Sequence, residues 1–72
     1  MKKNVTATEM LECLKWHWDY AYRLYKDFGA QDERTSTHFD MCIGMKEMCE
    51  YLLGTPIGLG MDGVLRVGNE AL

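Results

Sequence analysis

The sequence predicts a mainly α fold: an antiparallel two-helix hairpin over about 7–28 and 34–53, followed by a C-terminal β-hairpin or extended arm. Three observations predict it. Leu11, Leu14, Trp18, Ala21, Tyr25 and Phe28 recur at steps of three and four, the spacing of one apolar helix face. His38, Cys42, Met45, Cys49 and Leu52 repeat that spacing downstream. Glycines at 54, 58, 60, 63 and 68 then exclude a third long helix.

Taken in order, residues 1–5 precede any structural signal and are expected to fray. Thr6 and Glu9 have capping-box spacing, with Val5 and Met10 placed as a hydrophobic staple. The first helix therefore starts at Ala7, runs roughly 33 Å at 1.5 Å per residue, and stops at Gly29. Lys15, Asp19, Arg23 and Asp27 follow one another at i,i+4 on its solvated side. A short polar connection leads to a cap between Asp32 and Ser36, and the second helix ends at Gly54 with Pro56 beyond it. Phe39, Met41, Ile43, Met48 and Leu53 carry its apolar surface well past one seam.

A fold about residue 31 places Cys13 and His17 opposite Lys46 to Cys49, and Tyr22 and Tyr25 opposite His38 to Met41. In the tail (55–68), Asp62-Gly63 between Leu59–Met61 and Val64–Val67 is a hairpin signal, and 69–72 should be loose.

Seventy-two residues make a single domain, 1–72, whose core supplies only ~3–5 kcal/mol of net stability. Yet 47% of the residues are hydrophobic, and two helices enclose no core. The expected resolution is a homo-oligomer, with a dimer closing a four-helix bundle.

The net charge of −3, with both signs mixed along the chain, excludes the dense basic field of sequence-independent nucleic-acid binding. No apolar run reaches the ~18–20 residues of a membrane span. Lys2 and Lys3 precede no apolar stretch of the kind a secretory signal needs. Three cysteines without framework spacing suit a reducing, cytoplasmic setting.

Six aromatics lie between residues 16 and 28, more than one seam can hold. The expected interface is Trp16, Trp18, Tyr20 and Tyr22 with Met41, Met45, Met48 and Leu52, large or adaptable side chains of the kind that dominate contacts between proteins. Arg34, Thr35, Ser36, Thr37 and His38 open the second helix, with Tyr22, Tyr25 and Lys26 expected nearby. This is an alternative anion or nucleotide site at a helix N-terminus, against the simpler reading of caps and local ion pairs.

Cys13, His17 and Cys49 are a weaker alternative for metal, since buried cysteines usually serve as small hydrophobes. No phosphate loop, HExxH or CxxC is present, and nothing orients Cys13 and His17 as nucleophile and base. The expectation is a non-enzymatic, self-associating interaction module without a cofactor. Its size and lack of catalytic motifs suit an accessory or inhibitor protein of a bacterium or phage, with a further protein partner.

Overall fold

The structure is a computed structural model that describes residues 6–71; the 1–5 segment with Val5 of the staple, and Leu72, lie outside the described residues. Two helices, α1 (Ala7–Phe28) and α2 (Glu33–Leu53), precede three short strands, β1 (Ile57–Leu59), β2 (Leu65–Val67) and β3 (Glu70–Ala71). Thr6 caps α1 by accepting a hydrogen bond from the Glu9 amide at 3.1 Å. At the other end the Gly29 amide donates to the Tyr25 carbonyl at 2.9 Å. A single β-turn, closed by Asp32 N–H to the Gly29 carbonyl at 3.4 Å, reverses the chain. Asp32 then caps α2 through the Arg34 amide.

The seam between the helices is built from Leu14, Trp18 and Ala21 on α1 and Thr35, Cys42 and Cys49 on α2, all buried. The α2 residues are small and spaced by seven, which lets the helices meet around the bulk of Trp18 and Leu14. The seam expected from His38, Met45 and Leu52 is rotated accordingly. Cys42 and Cys49 stay in it, Thr35 joins, and Leu52 points outward. Ring contacts of Trp18 with Phe39 and of Tyr20 with His38 centre the reversal on Gly29 rather than residue 31.

The tail folds back on one flank of this pair. β1 and β2 pair antiparallel with Ile57 opposite Val67 and Leu59 opposite Leu65. The turn is one residue longer than Asp62-Gly63 alone predicts. Gly60 N–H donates to the Val64 carbonyl at 2.9 Å and Gly63 N–H to the Gly60 carbonyl at 3.0 Å, a three-residue loop with Gly63 left-handed at φ +84°. Asp62 supports it by accepting from the Val64 amide and the Arg66 guanidinium. Only glycine suits position 63, because a Cβ there would lie 2.8 Å from the Tyr22 ring. The expected loose end is ordered at Glu70–Ala71, which extends the hairpin to a three-stranded sheet by pairing with β2.

Two contacts fasten the sheet to the helices. Trp18 Nε1 donates to the Gly60 carbonyl at 3.1 Å, while its ring joins Ile57 and Leu65 in the core. The Glu50 carboxylate accepts from the Ile57 amide at 2.8 Å and from Lys46 Nζ at 3.1 Å, which holds it below the usual carboxylate range.

Two predictions follow from this core. Trp18→Ala removes ~3–5 kcal/mol, comparable to the whole stability of a domain this small, so circular dichroism should report an unfolded chain at room temperature. Thr35→Val should act the other way. The Thr35 hydroxyl is buried and has no hydrogen-bond partner, so its replacement by an isosteric methyl should gain ~1 kcal/mol in urea unfolding.

Candidate functional site

Beyond the seam, each helix has a second flank that the sheet does not reach. On α1 it carries Met10, Cys13, His17, Tyr20 and Leu24, at steps of three, four, three and four. On α2 it carries His38, Met41, Met45, Met48 and Leu52 at the same steps. These are two further heptad lines, side by side, and neither contains a charged residue. Asp40, Lys46, Glu47 and Glu50 all lie round the helix from the α2 line. Tyr20, Met41, Met48 and Leu52 are each exposed, Met48 at 53%. Trp16, 64% exposed, extends the patch by stacking on Tyr20 with ring centroids 5.8 Å apart.

The expected interface residues thus divide. Tyr20, Met41, Met48 and Leu52 share the outer face with Met45 half-buried in its floor, and Trp16 stands at its edge, stacked on Tyr20 and also lining a cavity with Gly63 and Leu65 of the tail. Trp18 does not belong with them. Its ring is buried in the core with Ile57 and Leu65, and its indole N–H reaches the Gly60 carbonyl of the tail. Tyr22 sits on the sheet side, against Gly63.

The expected anion set is split between two sides of the hairpin. Tyr22, Tyr25 and Lys26 cluster on the sheet flank, with Lys26 Nζ 5.2 Å from the Tyr22 ring centre. Arg34, Thr37 and His38 line a groove of about 400 Å³ on the outer side with Tyr20, Leu24 and Glu33. Arg34 is already engaged there. It donates from Nε and Nη2 to both Asp32 oxygens at 3.0 Å and stacks over Phe28 at 3.7 Å. Asp32 also takes the Arg34 amide, so a carboxylate from the chain itself occupies this helix start. Ser36 donates to the Glu33 carbonyl, and Thr35 is in the seam.

The Cys13, His17 and Cys49 set does not gather either: Cys13 is exposed, Cys49 is buried, and no group of three metal-ligating side chains occurs among the described residues. Burial pushes the Cys42 thiol up to about 11, as befits an inert core cysteine.

One pairing departs from the sequence reading. His17 and His38, expected toward opposite ends, touch. His17 Nδ1 lies 3.2 Å from His38 Nε2, between the edges of Trp16 and Tyr20. The reversal at Gly29 brings α2 further along α1 than a pivot at residue 31 does, and the two rings close the remaining gap. Gly44 was also missed. It stands mid-helix beside Met41, Met45 and Met48, and a Cβ there would meet nothing within 4 Å. A lone glycine inside an otherwise strong helix was the available signal.

Compared with known proteins, the chain matches no family model, no curated protein and no solved structure. None of the helices, among the described residues, is long and apolar enough to cross a membrane.

Burial and the neighbouring His17 hold the His38 imidazole below its ordinary value of 6.5. The unfolded chain then binds this proton more readily than the folded one, so stability is full above pH 6.5 and falls as pH drops through the folded-state value. Thermal melts should show a decline that starts below pH 6.5 and precedes protonation of the carboxylates, with ordinary values of 4.5 or less. His38→Gln should remove that early decline and leave the acid limb in place.

Proposed function

We propose that the protein is a non-enzymatic interaction module that associates with a second copy of itself through the outer helical face. The two uncharged heptad lines carry this reading. A second hairpin laid across them by two-fold symmetry gives a four-helix bundle with the two sheets on the outside.

Area supports a second copy as the occupant. Trp16, Tyr20, Met41, Met48 and Leu52 are each about half exposed. At ~150–250 Å² per large side chain they offer on the order of 500 Å² of apolar surface. A standard interface takes ~800 Å² from each partner, and homodimer interfaces are ~65% apolar, which calls for about that much.

Gly44 adds a second argument. A glycine in mid-helix costs ~0.5–1 kcal/mol against alanine, and among the described residues a Cβ at position 44 meets nothing within 4 Å. As a notch between Met41 and Met48 it fits a side chain arriving from outside. The alternative of an anionic or nucleotide ligand at the start of α2 has weaker support, since Asp32 already neutralises Arg34.

Light scattering across micromolar concentrations should report a monomer–dimer equilibrium. Met48→Asp should weaken it at least tenfold, ~1.4 kcal/mol, without lowering the helix content. Gly44→Ala should raise protomer stability by ~0.5–1 kcal/mol yet weaken the dimer by filling the notch. A monomer at every concentration, in wild type and variants alike, would overturn the reading.

A further inference from the structure

The chain has two histidines, 21 residues apart on different helices, and the fold brings a ring nitrogen of one against a ring nitrogen of the other. We propose that His17 and His38 form a chelating pair for a divalent first-row transition ion, of the zinc, copper or nickel class, on the outer face of the hairpin. The spacing carries the proposal. Two imidazole nitrogens each ~2.0–2.1 Å from one tetrahedral zinc ion lie about 3.3 Å apart. His17 Nδ1 and His38 Nε2 are 3.2 Å apart before any ion is bound.

The rings are held in place. Each imidazole stands on a packed helix, with the Trp16 and His17 ring centres 4.9 Å apart and the Tyr20 and His38 ring centres 4.8 Å apart, both in T-shaped contact. A chelate whose ligands are already placed loses little freedom when the ion arrives. The two nitrogens already face each other across that gap, so an arriving divalent ion displaces the proton held between them. Asp32 binds Arg34, one turn before His38. Cys42, one turn after it, is buried in the seam as a thiol.

Among the described residues no third ligand joins the pair, so water completes the coordination sphere. A bis-imidazole site of this kind selects against magnesium and calcium, which take oxygen ligands. Because the pair joins α1 to α2, a bound ion also clamps the hairpin.

The test is a thermal melt of chelator-treated full-length protein with zinc or nickel chloride, against magnesium chloride. Zinc and nickel should raise the melting temperature and magnesium should not. His17→Asn and His38→Asn should each weaken zinc binding in calorimetry by at least about tenfold, since losing even an outer-shell partner of a ligand costs ~10–100-fold.

Should a variant fail to fold, imidazole nitrogen NMR of the wild type decides. Zinc must shift the His17 Nδ1 and His38 Nε2 resonances together. Met48→Asp, which opposes self-association without touching either ring, should keep the zinc-induced rise. The proposal is overturned if zinc produces no rise, if the double histidine variant keeps the rise, or if Met48→Asp abolishes it. In the first case the contact is a plain imidazole–imidazole hydrogen bond.

Discussion

A pair of packed helices has two open flanks, and a tail of this length covers one. Everything else in the structure follows from which flank the sheet takes. Trp18 makes that choice, since its ring lies in the helix seam and its indole N–H reaches the Gly60 carbonyl. Glu50 secures the same side from α2 by holding the Ile57 amide. Leu11, Phe39 and Leu53 pack against the core there with Leu59 and Val67. The opposite flank keeps its apolar side chains and, among the described residues, receives no strand. The molecule is a plate of 35 × 32 × 15 Å, too thin for a second buried layer.

The cysteines take their meaning from that geometry. Cys42 and Cys49 are fully buried, and their small size lets α2 pass Leu14 and Trp18 closely. They act as core hydrophobes with thiols pushed above the ordinary range by burial. Seam positions this small leave the larger apolar residues of α2 to its flanks. Phe39 and Leu53 go to the sheet side, Met41, Met48 and Leu52 to the open one. The exposed methionines are therefore a consequence of the seam as much as an addition to it.

Much of this was legible in the sequence because it rests on local chemistry. Thr6 with Glu9, Gly29 and Gly54 mark three of the four helix ends, the start of α2 is bracketed between Asp32 and Ser36, and Asp62-Gly63 marks the hairpin, since caps and turns depend on a few neighbouring residues. What was lost depends on residues far apart. The rotation of the α2 seam toward Thr35 is set by the bulk of Trp18, which no pattern within α2 reveals. The third strand depends on β2 being already in place beside Glu70. The meeting of His17 and His38 depends on the turn geometry at Gly29, and a shift of one helical turn decides it. For the candidate site, composition marks Met41 and Met48 as apolar surface beyond the expected seam, but the line they form with His38, Met45 and Leu52 emerges only once the seam is placed on Thr35, Cys42 and Cys49. An aromatic surplus on one helix gives no direction, so it cannot tell that Trp18 belongs to the core and not to the interface.

Self-association and ion binding would draw on different parts of the outer face. The histidines lie where the rings of Trp16 and Tyr20 crowd together, next to the Arg34 and Thr37 groove. The Met41–Leu52 line runs from there toward the far end of the hairpin, with the Gly44 notch along its length. Methionine packs against varied shapes and gives poor register by itself, so a dimer built on it alone could slide. Register must come from features that match in only one position. Gly44 is one such feature, because a notch accepts a side chain at a single height along the helix. The fixed imidazole pair is another, since its polar nitrogens cannot be buried against a methionine without losing their partners. A second copy that seats on the methionines must therefore leave His17 and His38 to each other, to water or to an ion. In the proposed dimer that constraint leaves the imidazole pair facing solvent at the edge of the face, with Trp16, Tyr20 and the methionines covered.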